Sequence, residues 1–289
     1  YAPLPNISGY TGQYKNVGAI NNKGLEISLN ADVIRPSKFQ WTSDFNIGFN
    51  RNRVTELYGG KPELKGLKRL EEGRDMDEWY LREWAGVDPA NGSPLWYTTD
   101  ENGKRTTTDS YNKADRVYCG SAAPKFTGGW MNSFSYKGFT LTANFDFVYG
   151  NLLYNQSREL LDSDGAYADY NSMKLKSGWK RWEKEGDIAT HPKAINGGNK
   201  NSNKSSSRYL EKGNYFSLRN LSLGYSIPEK LCGKLGLQRV NVSCSADNLF
   251  TLTPFSGVSP QLSDSSTDGY AGTIYPLSRR IVFGLNVSF

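Results

Sequence analysis

The chain has 289 residues, 37% of them apolar and 13% aromatic, with a net charge of +6. The apolar share lies below the roughly 45–50% of an average soluble domain and is a poor mix for a helical core. No run of about 18 apolar residues occurs, which excludes a transmembrane helix, and the opening YAPLPNISGY lacks the basic start and apolar stretch of a signal peptide.

That opening reads as the edge of a mature or cut piece. Residues 1–23 hold Pro3, Pro5, Gly9 and Gly12, with a short strand expected near 10–17. GLEISLNADVI follows, where Leu25, Ile27, Leu29, Ala31 and Val33 point one way and Glu26, Ser28, Asn30 and Asp32 the other. This two-residue period is that of a strand with unlike faces. After a turn at Arg35-Pro36-Ser37, Phe39, Trp41, Phe45, Ile47 and Phe49 alternate with Gln40, Thr42, Asp44 and Asn46, completing a hairpin. Residues 55–77 read as a long polar loop. Residues 79–87 and 95–98 flank Asp88-Pro89-Ala90-Asn91-Gly92, a turn signal that predicts a second hairpin.

Residues 99–124 read as another long loop. Two strands then meet at Lys137-Gly138, with Trp130, Phe134 and Tyr136 alternating in the first and Phe139, Leu141, Phe145 and Phe147 in the second. The excursion 151–213 contains KLKSGWKRWEKEG, where a short helix is expected, and the polar run NGGNKNSNKSSS. Strand character returns over 216–227, with a phase slip near Arg219 that predicts a bulge. RVNVSCSADNLF follows, and 251–278 forms a last loop. The chain closes on IVFGLNVSF, with Ile281, Phe283, Leu285, Val287 and Phe289 apolar between small or polar neighbours.

About nine or ten strands of barrel-like length result. Alternation alone leaves a soluble sandwich open. The connections decide otherwise: short turns at 35–37, 88–92, 137–138 and 228–237 alternate with long excursions at 55–77, 99–124, 151–213 and 251–278. Tight turns at one rim and long loops at the other build an outer-membrane β-barrel, with an apolar face to lipid and a polar face to the lumen.

Several stretches resemble one family across nearly the whole chain: NVGAINNKGLEISLN (16–30), FQWTSDFNIGFNRNRVTEL (39–57), WAGVDPANGSPLWY (84–97), APKFTGGWMNSFSYKGFTL (123–141), RYLEKGNYFSLRNLSLGYSIP (208–228), ADNLFTLTPFSGVSPQ (246–261) and YPLSRRIVFGLNVSF (275–289). Together and in this order they resemble the SusC/RagA group of TonB-dependent outer-membrane receptors. The resemblance implies an all-β fold, the carboxyl-terminal portion of a transmembrane antiparallel barrel of about 22 strands, with no counterpart of the amino-terminal plug. It also implies residence in the outer membrane of a Bacteroidetes-like Gram-negative cell and import of a large nutrient, an oligosaccharide or a peptide. A SusD-like lipoprotein would serve as lid, and TonB with ExbB and ExbD would supply the energy. A soluble extracellular glycan-binding or adhesin module and a passive porin are the alternatives.

No catalytic constellation, cofactor motif or metal site is expected. His191, the single histidine, is expected at the surface of a polar loop and gives no base for a Ser-His-Asp or Cys-His arrangement. Asp109, Asp115, Asp162 and Asp164 lie in loops, where spacing alone makes no hydrolytic pair. Cys119, Cys232 and Cys244 lack a CxxC spacing. The expected lumen face carries Asp44, Asn46, Asn144, Asp146 and Asp247, groups of both hydrogen-bonding senses that suit a sugar's hydroxyls and equally suit a plug or water. The loops supply Trp96, Tyr97, Tyr118, Tyr167, Tyr170, Trp179 and Trp182. Such rings stack on sugars, anchor a protein partner, or pack their own loop. Trp179 and Trp182, three apart on the expected helix, are the first choice for a lid contact. From 174 to 212 ten Lys or Arg residues face Glu183, Glu185, Asp187 and Glu211, a balance suited to lipopolysaccharide, an acidic lid or an anionic substrate. Nothing else fits nucleic acid.

Overall fold

The computed structural model describes residues 2–3, 5–13, 18–35, 38–234, 236–262, 269–272 and 274–289. Pro36 and Ser37 of the first expected turn and residues 14–17 of the first expected strand lie outside this set; within it, Gly12–Gln13 is extended and pairs with Ala2–Pro3.

Seven strands form one antiparallel sheet: β1 (Ala19–Ile34), β2 (Phe39–Glu56), β3 (Phe126–Tyr136), β4 (Phe139–Tyr149), β5 (Tyr215–Ser226), β6 (Arg239–Leu252) and β7 (Arg280–Ser288). Their spatial order is their chain order, each pairing with its chain neighbours. The register aligns the apolar parity of every strand. Leu29 pairs with Phe45, Phe45 with Trp130, Trp130 with Phe145, Phe145 with Leu218 and Leu218 with Phe250. On the opposite face Asn30, Asp44, Met131, Asn144, Asn220, Asp247 and Arg280 form a second row. All five polar-face residues expected from the sequence lie on this side. Asn46 accepts from the Gly129 N–H at 3.0 Å, Tyr215 donates to Asp146 at 3.2 Å, and Asp247 accepts from Asn220 at 2.7 Å and Arg280 at 2.8 Å.

The apolar rows are covered only in part: Leu218 is buried and Phe45 and Phe145 half-buried, but the flanking strands are open. Leu29 is 61% exposed and Phe283 80%, and Leu285 lies open beside it. A soluble sandwich would place these side chains under a second layer, each gaining roughly 1.5–3 kcal/mol by burial. Here the side chains meet that demand in acyl chains, and the fold is the wall of a transmembrane antiparallel β-barrel. Among the described residues no helix is long and apolar enough to cross a membrane.

The bulge expected at Arg219 is present: Asn220 pairs with Asn144 and Leu218 with Phe145, leaving Arg219 as the extra residue. Lys137-Gly138 closes β3 to β4 in two residues with φ +46° and +88°, the twist-matched hairpin geometry. Glycine is required there, because a Cβ at 138 would lie 2.8 Å from the Ser226 carbonyl oxygen.

The strand count is corrected from nine or ten to seven in the wall, among the described residues. The hairpin expected over 79–98 is not a wall element. Glu78–Arg82 pairs with Arg116–Ser121, and Trp84–Val87 with Pro94–Thr99, in separate small sheets. Buried Trp79 and Leu81 alternate with partly exposed neighbours, so a strand of the cap carries the same period as a strand of the wall. The 88–92 turn thus belongs to one long connection, 57–125, and the loops expected at 55–77 and 99–124 are parts of it. Short links at 35–38, 137–138 and 227–238 then alternate with long ones at 57–125, 150–214 and 253–279.

The long connections fold into a cap, and the apolar core of the chain lies there. Trp79, Leu81 and Ala122 from the first connection pack with Tyr154 and Tyr209 from the second, and Tyr270 from the third closes on Trp79 at 5.1 Å. The Trp79 indole donates to the Leu152 carbonyl at 2.9 Å.

On this arrangement Leu29→Arg should destabilise the full-length barrel by roughly 2–4 kcal/mol near the bilayer midplane, whereas Asn30→Arg should cost at most about 1 kcal/mol. Equilibrium unfolding of the protein in lipid vesicles measures both; equal costs would contradict the assignment of faces.

Candidate functional site

Beside the aromatic core the second connection builds a buried ionic cluster. The short helix Ser157–Leu161 places Arg158 one turn before Asp162, and its Nη2 reaches the Asp162 carboxylate at 2.8 Å. Arg208, in the short turn Ser207–Tyr209, binds Asp164 and lies 3.3 Å from Asp162. Arg181 meets Asp164 at 2.6 Å, and Arg158 also donates to Glu211 at 3.0 Å. Three guanidiniums thus face three carboxylates. Ser202 adds a hydrogen bond to Asp164 at 2.7 Å. Such a cluster offsets the cost of burying charge only while every partner is present. Burial pushes the Asp162 carboxyl up, but the hydrogen bond from His191 and the charges of Arg208 and Arg158 outweigh it and hold it at about 2.

His191 corrects the expectation of a surface histidine. It is buried, with Nε2 3.0 Å from Asp162 and Nδ1 2.8 Å from the Thr190 hydroxyl. The loop looked polar because its polar groups bind one another. Asp162 and Asp164 likewise form part of the scaffold, with arginines on both, and Asp109 pairs with Lys200. Among the described residues no group of His, Cys, Asp or Glu could hold a metal ion.

The expected helix in KLKSGWKRWEKEG is also corrected: residues 174–186 form turns and extended backbone. Trp182 leaves the surface because Gly92, at φ +74°, opens a seat for it; a Cβ there would lie 2.6 Å from the indole. Its Nε1 donates to the Pro89 carbonyl at 3.0 Å. Trp96 is fully buried between Trp84 at 5.6 Å and Tyr111 at 5.5 Å, so its ring is occupied by the cap. Tyr97 carries Arg105 at 3.7 Å. Tyr118 carries Arg74 at 3.6 Å and donates to Glu71; burial and that carboxylate raise its hydroxyl to about 12. Trp179 is half-buried, between Arg158 at 4.4 Å and Lys176 at 4.5 Å. Tyr167 and Tyr170 remain open, 41% and 53% exposed, with rings 5.4 Å apart.

Against this cluster lies a cleft of about 870 Å³ between the second and third connections. Phe255, Val258, Leu161 and Met173 give it apolar walls, while Arg158, Lys174 and Lys176 give it positive charge. A smaller recess of about 370 Å³ shares Arg158, Lys176 and Pro254 and extends to Trp179 and His191. Asn155 is buried at the cleft, donating to Glu211 and Ser256 at 3.2 Å each, and its Oδ1 has no partner among the described residues. Arg158 Nε is likewise unpartnered. The cleft therefore offers exposed cations beside apolar surface, with the unpartnered Asn155 Oδ1 and Arg158 Nε enclosed behind its wall. The sequence had marked the basic stretch but not Asn155, Arg158 or Phe255, whose meeting depends on contacts some 100 residues apart.

No protein-family model matches the chain. The TonB-dependent receptor P3 of Formosa agariphila is 29% identical over 323 residues, covering 99% of this chain and 30% of that protein. The TonB-dependent receptor SusC of Bacteroides thetaiotaomicron is 22% identical over 95% of this chain and 27% of its own length. The solved RagAB peptide transporter superposes over 100% of this chain and 31% of the neighbour's, with a TM-score of 0.83 and 28% identity. Over its whole length the chain is similar to TonB-dependent receptors of the SusC and RagA type. It spans less than a third of the length of each of these relatives. The superposition on RagAB takes in both the wall and the cap.

Two outcomes test the cluster. Asp162→Asn removes the charge that faces His191 and three arginines, Arg158, Arg181 and Arg208, and should cost about 3 kcal/mol, read as protease sensitivity of residues 151–213 while the wall stays folded. Because the Asp162 carboxyl is lowered from 3.8 to about 2, its contribution is complete above pH 3.8, shrinks as the pH falls and is lost below about 2. The wild-type cap should therefore become protease-sensitive in that acid window, and the acid sensitivity attributable to this carboxyl should be absent from the variant.

Proposed function

We propose that this chain forms part of the outer-membrane wall and the external cap of a TonB-dependent importer of large nutrients, and that it is not an enzyme. The observation that carries this reading is the aligned apolar parity of seven strands, open at Leu29, Trp130, Phe250 and Phe283, whose long connections all leave from one rim. The polar row of Asp44, Asn144 and Asp247, with Asn46 and Asp146 beside it, then lines the lumen. Energy reaches such a receptor from TonB with ExbB and ExbD, through parts of the protein outside this segment. A SusD-like lipoprotein closes over the cap. Tyr167 and Tyr170, exposed and adjacent, are the cap rings best placed to meet that lid or the substrate, while Trp179 borders the recess. Lipopolysaccharide surrounds the same rim.

For the cargo, the amides and carboxylates of the polar face support an oligosaccharide. A specific observation favours a second reading, a peptide. The cleft sets Lys174 and Lys176 beside Phe255 and Val258, a pairing that suits a carboxylate next to an apolar side chain better than a neutral sugar. RagAB, one of the similar solved structures, is described as a peptide transporter.

Tyr167→Ala combined with Tyr170→Ala should reduce recovery of the lipoprotein in a pull-down by about tenfold, as expected for loss of central aromatic contacts. Lys174→Ser with Lys176→Ser should weaken binding of acidic peptides to the full-length receptor and leave neutral oligosaccharides unaffected. Titration calorimetry with both ligand classes separates the two cargoes, and binding of neither by the wild-type receptor would remove the importer reading.

A further inference from the structure

The outward parity of β1 and β2 changes character at the rim of the long connections. Below lie Leu25 and Phe49, directly paired. Phe49 continues sideways into an aromatic girdle, with Phe126 at 5.9 Å and Tyr149 at 5.1 Å from Phe126. Two residues farther along each strand, on the same face, Lys23 pairs directly with Arg51, and Asn21 pairs with Arg53. Like charges directly opposite on a ladder repel, and proteins usually separate them. Among the described residues neither the Lys23 nor the Arg51 side chain makes an ion pair or hydrogen bond.

These residues line a pocket of about 630 Å³, bordered by Gly73 and Asp75 of the first long connection. Arg53 Nε donates to the Gly73 carbonyl at 2.7 Å, which holds that guanidinium at the edge. The carboxylate of Asp75 is turned to other work, accepting from Ser121 at 2.9 Å and from the Asp77 N–H at 2.8 Å. Three cations therefore surround a space whose nearest acid is engaged elsewhere.

Resting on the reading of this rim as the extracellular one, we propose that Lys23, Arg51 and Arg53 form a binding site for the phosphorylated headgroup of an outer-leaflet glycolipid. The height of the pocket selects a lipid over a soluble anion. It opens on the acyl-facing side immediately beyond an aromatic girdle, the level at which headgroups sit. A phosphate between Lys23 and Arg51 cancels their repulsion, and charge-assisted hydrogen bonds from Arg51 and Arg53 fix it. The acyl chains of the same molecule then lie along Leu25, Ile27 and Leu29.

The test uses the full-length receptor extracted from outer membranes in mild detergent, with retained bis-phosphorylated glycolipid quantified by mass spectrometry. Lys23→Glu is the informative variant, because the new carboxylate pairs with Arg51 and spares the fold. Retention should fall about tenfold, with the heat-unfolding temperature unchanged or higher. Purified glycolipid stripped of its phosphates should not rebind, and millimolar inorganic phosphate should not displace the native lipid. Full retention by Lys23→Glu, or equal rebinding of the dephosphorylated lipid, overturns the site; displacement by inorganic phosphate makes it a site for free anions. Leu29→Trp, read as the quenching by brominated acyl chains gained over that of the native tryptophans such as Trp130, keeps the readings apart. Quenching with unchanged retention rejects the headgroup site alone, and absence of quenching rejects the lipid-facing wall beneath it.

Discussion

The whole structure depends on where apolar side chains find cover. In the seven-stranded sheet many find little within the chain, because the register stacks Leu29, Phe45, Trp130, Phe145, Leu218 and Phe250 on one face, where Leu218 is buried and Phe45 and Phe145 are half-buried but Leu29, Trp130 and Phe250 stay exposed. The sheet is held by its backbone ladder, and its hydrophobic stabilisation must come from lipid. Every backbone group in hydrocarbon needs a partner, which the uninterrupted up-and-down order supplies to the five strands between the edges β1 and β7. The inward face is thereby free to be polar.

The cap follows the opposite rule. Its strands are short and its sheets small, and it is stabilised as a soluble domain is, by Trp79, Tyr154 and Tyr209 in a closed cluster and by a balanced set of buried ions. The two halves of the molecule thus obey different solvents, and their boundary falls where β2 passes from Phe49 to Arg51. The basic composition of the second connection reads differently in this light. Arg158, Arg181 and Arg208 are internal struts, while Lys174 and Lys176 remain on the cleft wall and can meet a ligand.

How much of this was legible in the letters depends on the range of each interaction. The wall was legible because alternation is local: Leu25 to Val33 and Phe39 to Phe49 state their faces without reference to any partner, and the slip at Arg219 announces its bulge. The same signal misplaced 79–98, since Trp79 and Leu81 alternate toward a cap core as Phe45 and Ile47 alternate toward lipid. Periodicity reports that a strand has two faces, not which solvent each one meets. Trp179 and Trp182 had helical spacing, but a short isolated helix has little intrinsic stability, and the seat made by Gly92 draws Trp182 to a turn far away in sequence. His191 was unreadable because its partner, Asp162, lies 29 residues earlier. The cleft was unreadable for the same reason, being a product of two connections that meet only in space.

The aromatic cluster that the three excursions share has a consequence for which parts of the cap can vary. Since Trp79, Tyr154 and Tyr270 come from three separate excursions yet fill one volume, no excursion can be exchanged for a relative's without leaving a hole or a clash in the other two. Substitutions in the cap should therefore be tolerated singly at the outer tips, such as the Asn102-Gly103 bend, that touch no common interior, and only in concert within the cluster.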